Sequence, residues 1–431
     1  MRSTLSLSLS LSLSLWLCLL APPFVAWAQG APRASEPTGP LTLGAALELA
    51  LATNPDLAAA GRELEAVDAT IVQARTRPNP ELSTLIEDTL GVTQTTTIQL
   101  NQPIELGGKR AARIEAAERG RDGASLELDA KRAEIRAAVV AGFFEVLVAQ
   151  ERLRLAQVSG DLAQRATGAA ARRVKAGKVS PVEETKAQVA EASVRVEATL
   201  AASELATARK RLAATWGNPA PRFERAQGDP QALPPLPDLA ELNARLAASP
   251  NLQRARIEVE RRQALAEVER RRRIPDVTLS LGVKRDGEFD DTQAIFGVSI
   301  PLPIFDRNQG NLLEALRRTD KARDELSAAE IRLSTELAAA FERLNAARQE
   351  TELLQRDILP GAQSAFDAAT KGFELGKFGF LDVLDAQRTL LQAKSQSLRA
   401  LAEAHRSAAE IDRLLGEASP RTTSAPATRA P

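Results

Sequence analysis

The chain repeats itself. Residues 177–188 read Gly-Lys-Val-Ser-Pro-Val-Glu-Glu-Thr-Lys-Ala-Gln, and residues 376–387 read Gly-Lys-Phe-Gly-Phe-Leu-Asp-Val-Leu-Asp-Ala-Gln. The Gly-Lys and Ala-Gln pairs hold matching places, 199 residues apart. Earlier landmarks keep step. Asn54-Pro55 matches Ser249-Pro250 at a spacing of 195, Pro78 matches Pro275 at 197, and Pro103 matches Pro301 at 198. A slowly drifting offset over nearly the whole chain is the mark of a tandem duplication with small insertions. Whatever one copy folds into, the molecule must hold two of them.

Residues 1–28 read as a secretory signal: Arg2, an apolar Leu/Ser run to Leu20, and Ala26-Trp27-Ala28 before Gln29. Cys18 is the chain's one cysteine and leaves with that segment, so the exported remainder has no disulfide. Basic and acidic residues balance at 56 each, which gives no footprint for a nucleic-acid partner. Past the signal no apolar run is long enough for a membrane helix, so a membrane crossing requires strands. Aromatics make up only 3% and tyrosine is absent, fewer than a single-chain barrel with two aromatic girdles would carry. Ala, Leu, Glu and Arg prevail, the composition of long helices.

The spacing predicts the following order. An extended segment over 29–41 leads into repeat 1 (42–217), a linker (218–235), repeat 2 (236–416) and a disordered tail (417–431). In repeat 1 a helix runs from near Thr42 to Asn54 and a second from Pro55 to near Arg77, followed by a β-hairpin over 81–101. Repeat 2 has its hairpin at 276–300, where Val277, Leu279, Leu281 and Val283 alternate with Thr278, Ser280, Gly282 and Lys284. One apolar and one polar or small face over about nine residues suits either a bilayer strand or a half-buried soluble hairpin. Lys109–Ala176 contains no proline, so one helix of roughly 100 Å is expected at 1.5 Å per residue. Its partner, Gln309–Leu375, is interrupted by Pro360-Gly361, which predicts a kink, with Gly160-Asp161 as the matching weak point in the first copy. Helices return over about 181–215 and 381–415, with tips at 174–181 and 373–380. Ile135, Val139, Phe143, Val146, Leu153 and Val158 form a narrow seam for lateral packing in coiled-coil fashion.

Four strands cannot close a membrane barrel, for which about eight is the minimum. Membrane strands would therefore oblige the chain to oligomerise: two copies give eight strands and three give twelve. A water-filled passage favours the larger number.

The repeat, the strand–strand–long-helix order and the phrase Phe373 to Gln387 resemble the TolC family of outer-membrane efflux proteins, over about residues 42–416. A narrower stretch, Asn101-Gln-Pro-Ile-Glu-Leu-Gly-Gly-Lys-Arg-Ala-Ala-Arg113, is similar to the CzcC-like branch of that family, which serves heavy-metal cation efflux. The resemblance implies a mainly α fold with membrane β: duplicated long helical hairpins plus four strands per chain. Three chains would form a twelve-stranded β-barrel continuous with a periplasmic α-helical barrel. It implies an outer-membrane exit duct of a tripartite RND-type system. The partners would be two further copies, a periplasmic membrane-fusion adaptor, an inner-membrane RND pump and outer-membrane lipid. No cofactor is implied.

Site expectations follow. Asp382 and Asp385, three apart, share one helix face. The resemblance places them at an acidic constriction, with Glu183 as the first copy's equivalent; a capped or solvated helix turn is the plainer reading. Phe373 and Phe378 stand where the family type carries an aromatic hydroxyl and an arginine that lock the closed entrance. This departure speaks against such a lock and for a hydrophobic constriction. The tips, Gly177, Lys178, Val179, Gly376, Lys377 and Gly379, would meet the adaptor, or serve only as turns that need glycine. At the strand-to-helix junctions, Pro103, Gly107 and Gly108, with Pro301 and Pro303 in repeat 2, would end the strand and let the backbone swing into a helix. His405 is the lone histidine and reads as a surface helix residue, so no metal centre is expected. No Gly-x-Ser-x-Gly, phosphate loop or nucleophile–histidine pairing is visible, and Gly107-Gly108-Lys109-Arg110 is not a phosphate loop, so no enzyme is expected. The competing readings are a duct for organic compounds or type I protein secretion, and a soluble periplasmic coiled-coil scaffold.

Overall fold

The repeated Asn-Pro and Ser-Pro dipeptides mark the same local device. In a computed structural model that describes residues 36–88, 93–229, 231–287, 291–375 and 377–416, Asn54 closes helix α1 (Leu43–Thr53) and caps α2 (Pro55–Arg75). Its Oδ1 accepts from Leu57 N at 2.9 Å and its Nδ2 donates to Thr215 O at 2.8 Å. After the short α5 (Leu239–Leu246), Ser249 caps α6 (Pro250–Arg272) by accepting from Leu252 N. Proline at the first helical position costs nothing, because its missing N–H would have no partner there.

Between these helices and the long ones lies the sheet. Strands β1 (Glu81–Glu87), β2 (Thr95–Ile104), β3 (Val277–Asp286) and β4 (Asp291–Ser299) pair antiparallel in chain order. Leu82, Leu100, Leu281 and Phe296 stand in one transverse row, with Ile98, Val283 and Ala294 in the next. Leu82 and Phe296 are 70% and 71% exposed, so this apolar face has no cover among the described residues. The opposite face carries Ser83, Gln99, Asn101, Ser280 and Gly282, where Asn101 donates to Ser83 Oγ at 3.0 Å and accepts from Ser280 Oγ at 2.6 Å. Among the described residues β1 and β4 each have a neighbour on one side only. Against expectation, β2 runs through Pro103 instead of ending at it. The β1 pairing stops at Asn101, so Pro103 needs to serve only Thr278 of β3, and a proline is tolerated where one side of the strand is free.

Helix α3 (Lys109–Lys175) is continuous, and Gly160-Asp161 leaves no break. It returns as α4 (Pro181–Ala214). Ile135, Val139, Phe143 and Val146 are buried as the seam requires, Leu153 is half-buried, and Val158 is 53% exposed. Val158 is displaced because the buried track from residue 149 consists of alanines at seven-residue steps: Ala149, Ala156, Ala163 and Ala170. Ala187, Ala201 and Ala208 line α4, so small side chains let the two backbones approach.

In repeat 2, α7 (Gln309–Leu353) runs into a π turn (Leu354–Ile358) and then α8 (Leu359–Glu374), which returns as α9 (Phe380–Leu415). The interruption thus precedes Pro360-Gly361, and Pro360, in the first turn of α8, has no N–H to offer a carbonyl of the π turn that runs into it. The π turn has a visible effect. Leu333, Ala340, Ala347 and Leu354 are buried at seven-residue steps, but the next buried positions are Ala362 and Ala369, one residue late. The parallel track Leu337, Leu344, Thr351 resumes at Leu359 and Phe366, while Ile358 is exposed. A single inserted residue per π turn accounts for this phase shift.

The largest buried cluster gathers Leu41 just before α1, Leu49 of α1, Phe143 of α3, Leu212 of α4, and Trp216 and Phe223 of the segment joining the copies. Leu41 forms a parallel bridge with Ala226 that fixes this segment. His405 is not on the surface. It is 7% exposed, its ring is stacked on Phe144 with centroids 3.3 Å apart, and its Nε2 lies 2.7 Å from the Ala232 carbonyl. Burial pushes its pKa down to about 4, despite the opposing effect of that hydrogen bond. No described helix is long and apolar enough to cross a membrane. The expected signal over 1–28 and the tail over 417–431 lie outside the described residues.

Candidate functional site at the hairpin tips and the strand-to-helix junctions

At the first tip, α3 ends with Gly177 in the left-handed region (φ +68°), Lys178 N donating to Arg173 O at 3.0 Å. A side chain is disfavoured in that conformation, so the glycine is set by the turn. Lys178 is exposed and Val179 half-buried. At the second tip, Gly376 lies outside the described residues. Lys377 N donates to Gly372 O at 2.8 Å, and Lys377 is exposed. Gly379 is not left-handed; its φ is −76° and it is the extended N-cap of α9. A turn requirement thus explains Gly177 but not Gly379.

The two tips are fastened together. Phe373 packs against the buried pair Ala170 and Ala187, as do Ala166 and Leu384. Arg173, one turn before the first tip, lies over the Phe373 ring at 4.2 Å and donates to the Phe373 carbonyl at 3.4 Å. A guanidinium on a ring face is an electrostatic attraction as well as an apolar contact. Arg173 was invisible to sequence reasoning, because its counterpart by the 199-residue spacing is Gly372 and no repeat signal marks it. Phe378 is half exposed, and its ring covers Gly372 so closely that a Cβ there would overlap it.

Asp382 and Asp385 are both exposed at the start of α9. They are not equivalent. Asp382 Oδ2 accepts from Gly379 N at 2.8 Å and so closes the helix start, while Asp385 makes no side-chain hydrogen bond among those of the described residues. Glu183, in the first turn of α4, is half-buried and stands 3.7 Å from Lys186. Phe373 and Phe378 are thus tied to opposite hairpins, Phe373 to the first copy's helices and Phe378 to its own.

At the strand-to-helix junction of repeat 1, Gly107 (φ +70°) and Gly108 (φ +75°) are both left-handed, and Gly108 is the N-cap of α3. A Cβ on Gly107 would fall 2.9 Å from the Cβ of Ile274. Glu105 pairs with Arg113, and Lys109 with Asp276 at 2.8 Å, tying strand ends to helix starts. In repeat 2, Pro301 and Pro303 follow β4 and no glycine is present. Asn308 (φ +56°) instead takes the left-handed N-cap of α7. Asparagine tolerates that region, which is the signal that could have found it. Among the described residues no group of three or more His, Cys, Asp or Glu is arranged to hold a metal ion.

These features can be set beside known proteins. The chain matches the outer membrane efflux protein family over residues 46–218 and 242–417. It is 52% identical over 381 residues to the cobalt-zinc-cadmium resistance protein CzcC of Cupriavidus metallidurans, covering 88% of this chain and 91% of that one. The nickel-cobalt-cadmium resistance protein NccC of Alcaligenes xylosoxydans is 29% identical over 67% of this chain and 65% of its own. Among solved structures, CusC superposes with a TM-score of 0.76 at 20% identity over 92% of this chain and 99% of that one. The outer membrane protein VceC of Vibrio cholerae gives 0.72 at 20% identity, over 88% and 97%. The fold is that of the TolC-family channels, mostly helical with a small four-stranded sheet.

Proposed function

Because the chain belongs to the outer membrane efflux protein family, we propose that it is the outer-membrane exit duct of a tripartite RND-type pump and that its cargo is heavy-metal cations. The observation that carries the cargo is the 52% identity to a cobalt-zinc-cadmium resistance protein over nearly the full length of both chains. The sheet supports the membrane placement, since its apolar row from Leu82 to Phe296 has no cover among the described residues. Open edges are not tolerated in lipid, so β1 of one copy must meet β4 of another. Three copies then give a twelve-stranded barrel above a helical tunnel.

In this assembly Asp382, Asp385 and Glu183 ring the inner entrance and attract cations, while Phe373 and Phe378 narrow it. Gly177, Lys178, Val179, Gly376, Lys377 and Gly379 meet the periplasmic adaptor. Pro103, Gly107, Gly108, Pro301 and Pro303 carry the backbone from tilted strand to helix.

The test is deletion and complementation in the native host. Deletion should lower resistance to zinc, cobalt or cadmium and raise their cellular content, and the intact chain should restore both. Unchanged metal tolerance, together with a lost tolerance to organic compounds or a lost protein secretion, would assign the duct to another cargo. Recovery of the chain as a monomer from the periplasmic fraction without detergent would overturn the duct itself.

A further inference from the structure

The four strands are charged differently at their two ends. At the turn end stand Glu87, Asp88, Asp286 and Asp291, with Lys284 and Arg285 beside them. At the helix end each strand adjoins an exposed arginine: Arg77 before β1, Arg110 after β2, Arg273 before β3 and Arg307 after β4. Other cations in this belt are neutralised, as in the pairs of Lys109 with Asp276 and Arg113 with Glu105. These four are not. Arg110 donates to the Arg75 carbonyl at 2.8 Å and Arg307 to the Pro303 carbonyl at 3.2 Å, both uncharged acceptors. None of the four has a carboxylate within ion-pair distance among the described residues.

Apolar side chains stand beside them. Leu302 and Phe305, between β4 and Arg307, are 77% and 89% exposed. A strand of about nine residues matches the hydrocarbon thickness. Four to eight further residues, in coil or in the adjoining helix turns, carry the four arginines to headgroup depth, where aromatic rings and long basic side chains are stable together.

We infer that Arg77, Arg110, Arg273 and Arg307, with Leu302 and Phe305 inserted beside them, form a collar that binds the headgroups of anionic phospholipid in the leaflet on the helix side of the barrel. The inference rests on the reading of the sheet as membrane-spanning. Charge decides the occupant. A second copy of this chain brings the same four arginines to the same height together with the two exposed carboxylates Glu81 and Asp306, so assembly repeats a net positive charge. Phosphate esters of an anionic leaflet are complementary, and a guanidinium matches their geometry.

The test uses the full-length oligomer, exchanged into vesicles of phosphatidylcholine alone or mixed with phosphatidylglycerol, with the retained lipid read by native mass spectrometry. The wild type should retain phosphatidylglycerol over phosphatidylcholine, and high salt should erode that preference. Replacing the four arginines by glutamine should reduce the enrichment by about tenfold or more, and replacing them by lysine should keep most of it. A wild type that inserts but shows no preference overturns the collar alone. So does a preference indifferent to salt, and so does a glutamine variant whose oligomer dissociates with its lipid ratio unchanged. A wild type that inserts into neither vesicle removes the membrane reading beneath it. Should the glutamine variant not fold, the salt response of the wild type decides.

Discussion

Leu100 of β2 stands directly opposite Leu281 of β3, so the two copies of the duplicated unit are joined by an apolar pair on the exposed face of the sheet. This pair sits mid-strand, where a lipid-facing charge is most costly. Leu281→Arg should destabilise the inserted oligomer by roughly 2–4 kcal/mol. Gln99→Lys, on the other face, should leave it nearly intact. Denaturant titration of the reconstituted protein reads both, and equal losses would mean that the faces are wrongly assigned.

The two junction glycines should differ in their tolerance. Gly107→Ala meets both a disfavoured φ and the Ile274 side chain, while Gly108→Ala meets only the φ. The left-handed conformation alone costs about 1–2 kcal/mol. Oligomer yield should therefore fall more for Gly107→Ala, and adding Ile274→Ala should recover part of that loss. If the second substitution recovers nothing, the steric account is wrong.

Acidification should loosen the joint between α3 and α9. The His405 pKa is lowered to about 4, from an ordinary 6.5, by burial. Below 6.5 the unfolded chain takes up a proton that the folded chain refuses, so stability is full above 6.5 and declines as the pH falls toward 4. By pH 5 the loss is roughly 2 kcal/mol. His405→Phe should flatten this part of the curve of melting temperature against pH; a curve with the same slope would acquit the histidine.

Deleting Gln355 from the π turn should convert it to ordinary α-helix and bring Ala362 and Ala369 to seven and fourteen residues after Leu354, in step with the buried track before the turn. Ala362 and Phe366 would then stay on the side of Leu390 and Ala393. Unaltered hydrogen-exchange protection over 359–374 is the expected outcome. Faster exchange there would show that the phase shift has another origin.

The entrance aspartates should separate. Asp382→Ala removes the acceptor for Gly379 N and should cost about 1 kcal/mol in local helix stability besides any effect on conductance. Asp385→Ala should weaken cation selectivity in planar bilayers with no loss of stability. Selectivity unmoved by Asp385→Ala would place that carboxylate off the conduction path.

Much of this fold was legible because period and punctuation agree. Alternation of Leu279, Leu281 and Val283 gave the strand, and the prolines at 55, 181 and 250 gave helix starts. What was missed depends on neighbours that periodicity does not encode. Val158 reads as a seam residue until the alanine track takes its place. The π turn carries no proline or glycine of its own, so Pro360-Gly361 drew the kink to itself. His405 looks solvent-exposed until Phe144 and Ala232, both far away in sequence, are seen around it. At the tips, sequence paired Asp382 with Asp385, and only the position of Gly379 distinguishes a helix cap from a free carboxylate.

The sheet's two free edges, β1 and β4, have a genetic corollary. In a ring closed edge to edge, a subunit with one spoiled edge still docks through its sound one, then leaves the circle unfinished. Such an allele should poison the products of a normal copy expressed beside it. Lesions in β1 or β4 should therefore be dominant, while equally severe lesions in the interior strands β2 and β3, which never reach the assembly step, should be recessive.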